Sequence, residues 1–193
     1  MRRRKKRHVK YERGRISTEV TRPNERWSMD FVHDAFANGR KTRLLNIIDD
    51  FTCECVAIEA DTSIPSPRVI AVLDRIAEER GYPETVKFDN GPEFSSLAML
   101  RWGAERKVKL HFIEPGKPTQ NAKIESFNAV ERDELLNEHW FLTTQELQEE
   151  AERWRIRYNT HRPHGSLGYL TPAEFARRYY ESVQTTLPQF EAA

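Results

Sequence analysis

Apolar and polar positions alternate from Arg26 onward. Trp27, Met29 and Phe31 fall on one face of an extended segment, and Ser28, Asp30, Val32 and Asp34 on the other. Ala37-Asn38-Gly39-Arg40 carries the Asn-Gly signal of a tight hairpin turn. Thr42 to Ile48 reads as a second strand ending at Asp49-Asp50, and Cys53 to Glu59 as a third, giving an antiparallel meander. The period changes at Ser66, which is placed to cap a helix. Pro67 suits the first helical position, and Gly81 with Pro83 stops the run. Val69, Leu73, Ile76 and Arg80 share one stripe of that helix, with Val72 beside it. Thr85 to Phe88 is a short strand, and its arrival behind a helix predicts a parallel crossover. Ser95 or Ser96 opens another helix to about Lys107, and Val108, Leu110 and Phe112 alternate as a fifth strand. The predicted order is β-β-β-α-β-α-β-α with more helix behind it. That is an α/β chain with a mixed five-stranded sheet, three antiparallel strands then two parallel, flanked by helices.

Pro115-Gly116-Lys117-Pro118 is a loop signal, and Thr119 is placed to cap the next helix. On that helix Asn121, Glu125, Asn128 and Arg132 recur on one face, while Ile124, Phe127 and Leu135 point toward the core. Thr143-Thr144-Gln145-Glu146 is a capping box, followed by the stripe Leu147, Ala151, Trp154 and Tyr158. His161-Arg162-Pro163-His164-Gly165 ends that helix. Thr171-Pro172-Ala173-Glu174 is a second capping box, with Leu170 and Phe175 placed as a hydrophobic staple. The last dozen residues are expected to fray. The expected organisation is a basic arm over residues 1–22, one core over 23–180 and a tail over 181–193. No internal repeat is evident.

Charge changes this picture more than composition does. Over 193 residues the net charge is only +1. Residues 1–15 nevertheless hold nine Lys or Arg against Glu12 alone, +8, which leaves −7 for the rest. A basic arm on an acidic body points to an anionic polymer as partner and to a metal-binding body. The bland alternative is a solvated tail. No run approaches the roughly 18 apolar residues of a membrane span, and no apolar stretch follows the basic start as a signal peptide requires. Cys53 and Cys55, two apart in the predicted third strand, suit neither a disulfide framework nor a zinc site, so a reducing cytosol is expected.

Three acids stand out. Asp30 interrupts the apolar run Trp27-Ser28-Met29-Asp30-Phe31-Val32, against the rule that buried polar groups need a reason. Asp89 ends the strand Val86-Lys87-Phe88 where Asn90-Gly91-Pro92 breaks it, although Asp also caps such turns for purely structural reasons. Glu125 alone is an ordinary solvated helix residue. Carboxylates from two strands and a helix, brought together, suit hard divalent cations such as Mg. Two metals roughly 4 Å apart stabilise the attacking and leaving oxygens of a phosphodiester displacement. Asp34, Asp49, Asp50 and Glu93 also lie near strand ends, and the pattern does not exclude them as ligands. His161 and His164 lack zinc-pair spacing and read as structural or phosphate-contacting.

Several segments together resemble one family. They are Arg26-Trp27-Ser28-Met29-Asp30-Phe31-Val32, Asp89-Asn90-Gly91-Pro92-Glu93-Phe94, Pro115-Gly116-Lys117-Pro118 through Asn121, and Glu125-Ser126-Phe127-Asn128. Tyr158-Asn159, Arg162-Pro163-His164, Leu167-Gly168 and Thr171-Pro172-Ala173-Glu174-Phe175 complete the set. The pattern is similar to the integrase catalytic core of the bacterial transposases named after insertion element three, which resemble retroviral integrases. Thirty-five residues separate Asp89 from Glu125, the spacing of that family, and the likeness covers about residues 22–178. The resemblance implies an RNase H-like fold. It implies that Asp30, Asp89 and Glu125 are the catalytic, metal-binding triad for Mg or Mn, with two ions when DNA is bound. The implied chemistry is DNA strand cleavage followed by strand transfer, without a covalent enzyme intermediate. Asn121, Asn128 and Arg132 share the Glu125 face and are expected to contact DNA backbone, with Lys117 and Lys123 as weaker candidates. The implied partners are insertion-element ends, target DNA and further copies of the chain, with no membrane, in the bacterial cytoplasm at the nucleoid.

The chain departs from that pattern in places. Cys53 stands where relatives usually have Arg, and Ala129 where they usually have Gly. Val130 and Glu131 replace a basic and an apolar residue. Glu131 falls on the Ile124, Phe127 and Leu135 stripe, where an unpaired buried carboxylate costs on the order of several kcal/mol unless it snorkels. Relatives carry helix-turn-helix segments upstream, and this chain begins about twenty residues before the core. An excised fragment, a truncated gene copy and one part of a longer product are the expected explanations. Two other readings compete with the catalytic one: a truncated, non-catalytic module that binds DNA or full-length transposase, and a stand-alone nuclease acting on RNA–DNA hybrids.

Overall fold

The computed structural model of the chain describes residues 19–114 and 118–186. The first alternating segment becomes β1 (Arg26–Ala35), paired antiparallel along its length with β2 (Lys41–Asp49). In the turn between them Phe36 N donates to Arg40 O at 2.9 Å. Gly39 supplies the positive φ of 79° that the turn needs. β3 (Cys55–Asp61) pairs antiparallel with β2, with a register shift between Ile47 and Ile48. Ala57 lies opposite Ile47 and Cys55 opposite Ile48, so Val56 is the extra residue of a bulge. The bulge puts Cys55 in the same core as Ile58 and Ala60, while Ala57 packs on the other face.

α1 (Ser66–Arg80) carries the chain across to β4 (Thr85–Phe88), which pairs parallel with β1. α2 (Leu97–Arg106) does the same for β5 (Lys109–Phe112), parallel to β4. The sheet order is β3-β2-β1-β4-β5. Strand alternation divides the core in two. Trp27, Met29, Leu45, Ile47, Val86 and Phe88 face Val69, Leu73, Met99 and Trp102 of α1 and α2. Val32, Leu44, Ile48 and Ile58 face α3 (Ala122–Glu131) and α4 (Thr144–His161) through Ile124, Phe127, Leu147 and Trp154. α4 also covers the open edge of β3. Ala60 N donates to Gln148 Oε1 at 2.7 Å, and Gln148 Nε2 donates to Ile58 O at 3.0 Å. Cys55 N donates to Asn159 Oδ1 at 2.8 Å, and Asn159 Nδ2 to Cys55 O at 2.9 Å. Two amide side chains thus stand in for a sixth strand.

The RNase H-like expectation of three antiparallel strands followed by two parallel ones matches this sheet, with four corrections in detail. Ser66 is the first helical residue rather than the cap, and its hydroxyl donates to Glu93 O at 2.7 Å. Cys53 is not in β3; it sits in the preceding turn with φ 58°. α5 (Pro172–Thr186) runs past residue 181, so the helix continues into the expected tail. α3 does not run on regularly but ends in a π-helical turn over Arg132–Leu136. Both capping boxes form: Glu146 N donates to Thr143 Oγ1 at 3.1 Å, and Glu174 N to Thr171 Oγ1 at 3.2 Å. The Thr171 box is reciprocal, since Thr171 N donates to Glu174 Oε2 at 2.9 Å. The expected Thr119 cap, the Lys117 loop and most of the basic arm lie outside the described residues or side chains.

Candidate active site

The parallel ladder between β1 and β4 runs Arg26↔Thr85, Trp27↔Val86 and Ser28↔Lys87. Continued for two residues, that register sets Asp30 beside Asp89 on the face covered by α3. Glu125 lies in the first turn of α3. Asp30 is half-buried, and its carboxyl is raised above the usual range. Burial is the main cause, and the negative charges of Asp89 and Glu125 add to it, against the pull of the Phe31 N–H and Asn128. The fold therefore gathers the three acids expected from the sequence within electrostatic reach of one another.

The loop after Asp89 is built to hold that carboxylate. Gly91 N donates to Asp89 Oδ1 at 2.9 Å, and a Cβ at Gly91 would stand only 3.0 Å from the same oxygen. Asn90 Nδ2 donates to Ile113 O at 2.9 Å, which ties the strand tip to the exit of β5. The Phe94 ring stacks on Phe31 at 5.1 Å and on Phe88 at 5.0 Å, between the two strands that carry the aspartates. Glu93 is engaged by Arg43, whose guanidinium also lies over the Phe31 ring.

On Asp30, Phe31 N donates to Oδ1 at 2.8 Å and Asn128 Nδ2 to Oδ2 at 2.9 Å. No Lys or Arg among the described residues is ion-paired with Asp30, Asp89 or Glu125. Three hard-oxygen donors carrying uncompensated negative charge fit a divalent cation in their chemistry. As placed, however, no three His, Cys, Asp or Glu side chains among the described residues stand close enough to hold one ion. Asp30 and Asp89 spend oxygens on backbone N–H groups instead.

The other acids are accounted for differently. Asp50 is fully buried between two cations. Arg26 Nε donates to its Oδ2, Lys87 Nζ lies 3.2 Å from the same oxygen, and Ser28 Oγ donates to Oδ1 at 2.6 Å. Burial works against this carboxylate, yet Lys87, Ser28 and Arg26 together hold its pKa below the usual value. Asp49 accepts the N–H groups of Asn24, Phe51 and Thr52 at 2.8, 2.8 and 3.1 Å, as a turn cap. Asp34 accepts Ala35 N at 2.8 Å. None of these four, Glu93 included, points its charge at Asp30.

The expected DNA-contacting face proves to be partly internal. Asn128 is occupied on both sides, since its Nδ2 holds Asp30 and its Oδ1 accepts Asn46 Nδ2 at 2.9 Å. Asn121 is only 2% exposed, and its buried Oδ1 has no partner. Lys123 Nζ donates to Asp50 O, and Arg132 Nη2 to His33 O at 2.9 Å. Glu131 does not snorkel. It is 0% exposed, accepts from Asn46 Nδ2, and burial pushes it up to about 8. His164 is structural: its N–H donates to Leu170 O at 2.9 Å and its ring meets Tyr158 edge-on at 5.1 Å. Asn46 and Lys87 are the polar residues that the sequence reading passed over. Each sits inside an apolar strand run, Leu44-Leu45-Asn46-Ile47-Ile48 and Val86-Lys87-Phe88, and that interruption was the available signal.

A five-stranded mixed sheet in the order β3-β2-β1-β4-β5 with helices on both faces is the architecture of integrase catalytic cores. Solved structures agree at the level of fold. The magnesium-bound catalytic core domain of HTLV-2 integrase superposes with a TM-score of 0.66 at 17% identity, covering 82% of this chain and 99% of that one. The integrase of a simian T-cell lymphotropic virus intasome also gives 0.66 at 17% identity, over 95% of this chain and 61% of that one. The integrase core domain family matches residues 20–118 and again 106–172. The chain belongs to that family. A protein of insertion element IS407 from Burkholderia multivorans is 49% identical over 92% of this chain and 64% of its own length. A protein of IS476 from Xanthomonas euvesicatoria is 50% identical over 81% of this chain and 45% of its own length. The InsK transposase of IS150 from Escherichia coli is 26% identical over 84% and 58%. The chain thus spans about half to two-thirds of the length of these three relatives. No helix among the described residues is long and apolar enough to cross a membrane.

Proposed function

We propose that this chain is the catalytic core of an insertion-sequence transposase, with Asp30, Asp89 and Glu125 as the ligands of Mg or Mn. The observation that carries this reading is the placement of Asp30 and Asp89 two residues past the Ser28–Lys87 rung of adjacent parallel strands, facing the helix that carries Glu125, with no Lys or Arg among the described residues paired to any of the three. A divalent cation bound there would supply Lewis acidity and a nucleophilic oxygen for DNA phosphodiester cleavage and transfer. The chain's own residues do the rest. The Phe31 N–H and the Asn128 amide hold Asp30, and the Gly91 N–H holds Asp89. A bound cation would replace the repulsion that Asp89 and Glu125 exert on Asp30 with attraction. Arg132 is the backbone-phosphate contact in this reading, Lys117 with the basic arm extends it, and the buried Asn121 is not part of it. Lys123 acts mainly by holding the Asp50 carbonyl. The substrates are element ends and target DNA, with further copies of the chain assembled on them.

A second reading, a non-catalytic module binding DNA or transposase, is favoured by the absence of a ready three-ligand group among the described residues. Short duplexes carrying one pre-nicked strand end separate the two. Mg- or Mn-dependent joining to a second duplex, lost in Asp89→Asn, is expected for the catalytic core. Duplex binding without joining at any metal concentration would leave the binding module.

A further inference from the structure

A line of polar side chains runs from Asp30 through the interior to Glu131, beneath α3. Asn128 Nδ2 donates to Asp30 Oδ2 at 2.9 Å, and Asn46 Nδ2 donates to Asn128 Oδ1 at 2.9 Å and also to Glu131 Oε2. Asn46 and Glu131 are both 0% exposed. Two atoms on this line are buried without a partner, Asn46 Oδ1 and Glu131 Oε1. They belong to the two groups that already share a hydrogen bond. An amide edge offers N–H and C=O, and a protonated carboxyl edge offers C=O and O–H, so the two are complementary. A carboxylate offers acceptors only and orphans both oxygens, which buried polar groups rarely tolerate.

We propose that Glu131 is a protonated carboxylic acid in the native protein, and that its pair with Asn46 positions Asp30 through Asn128. One proton on Glu131 Oε1 satisfies both orphaned oxygens. It also fixes which way round the Asn46 amide sits, with its second N–H toward Asn128. Asn128 must then turn its own NH₂ group, not its carbonyl, to Asp30. The other groups facing Glu131 are the Cys55 thiol from β3 and the neighbouring Arg132, whose guanidinium reaches away to His33 O. The burial that raises Glu131 to about 8 agrees with a proton retained at neutrality. A neutral Glu131 also adds no fourth negative charge behind the three acids.

The positioning half rests on Asp30 being a metal ligand; the protonation half does not. Infrared spectra of the metal-free chain near neutral pH test the latter. A carboxylic-acid C=O band present in the parent and missing in Glu131→Gln is expected, and its absence from the parent overturns the assignment. Melting against Mn concentration tests the former. Glu131→Gln keeps both edges of the pair and should keep the parent's midpoint. Glu131→Leu, with Glu131→Met in its place if that variant fails to fold, should weaken the midpoint roughly tenfold or more. A leucine or methionine variant with the parent's Mn midpoint overturns the positioning role. A parent chain with no Mn response at all would instead sink the carboxylate site and the positioning role with it, while the infrared band still decides the proton.

Discussion

Two carboxylate sites adjoin neighbouring positions on the same face of β1 and β4, and they are solved in opposite ways. At one rung Ser28 and Lys87 are register partners, and with Arg26 they enclose the fully buried Asp50. Two residues further along stand Asp30 and, just past the end of β4, Asp89, with Glu125 on the facing helix and no cationic side chain among the described residues paired to any of the three. The first cluster neutralises itself, and its carboxylate is held below the usual pKa. In the second, Asp30 is held above, mainly by burial and further by the charges of Asp89 and Glu125. Where the chain supplies the counter-charge, the cluster is structural. Where it withholds it, in the proposed function the counter-charge arrives from solution as a metal ion.

That contrast can be broken from either side. Asp89→Asn should reduce metal-dependent strand transfer at least about a thousandfold, several kcal/mol of transition-state stabilisation, with little loss of melting temperature in the absence of metal. Kinetics on pre-nicked duplexes measure this. Asp50→Ala should do the reverse. Taking the carboxylate away from the two buried cations Arg26 and Lys87 costs about 3–5 kcal/mol of stability, read by chemical denaturation.

The pH response should separate the clusters too. Asp50, lowered in the fold, contributes stability that is lost as pH falls through the acid range. Glu131 is raised from 4.5 to about 8. The unfolded chain gives up that proton first, so stability falls between those limits as pH rises, by up to ~1.4 kcal/mol per pH unit. Asp30, raised for the same main reason, burial, adds a contribution of the same sign that bound metal should remove. Glu131→Gln should flatten the neutral-range slope, measured by melting from pH 5 to pH 8. The smallest effect belongs to Lys123→Ala. It removes one hydrogen bond to the Asp50 carbonyl, about 1 kcal/mol of stability, and a loss confined to duplex affinity would return Lys123 to the DNA face.

Much of this was legible in the sequence because it is local. The alternation at Trp27-Met29-Phe31, the Asn38-Gly39 turn, the Thr143 and Thr171 boxes and the break after Asp89 are each set by neighbours within a few residues. What stayed hidden depends on contacts between distant segments. The bulge at Val56 reverses the parity of β3 and is visible only against β2. Glu131 looked like a misplaced charge because its partner, Asn46, is 85 residues away in sequence. Asn128 looked like a DNA contact because it shares the Glu125 face, and the structure gives its amide to Asp30 and Asn46 instead. Asp50 was one acid among several until Arg26 and Lys87 closed on it.

The central claim is that the uncompensated cluster, and not the compensated one, takes the metal. A crystal of the chain soaked in Mn and measured at the manganese absorption edge tests it most directly. The account predicts anomalous density between Asp30 and Asp89 within reach of Glu125, and none beside Asp50. Manganese bound elsewhere, or Asp30 and Asp89 still turned to the Phe31 and Gly91 N–H groups at saturating metal, would contradict it.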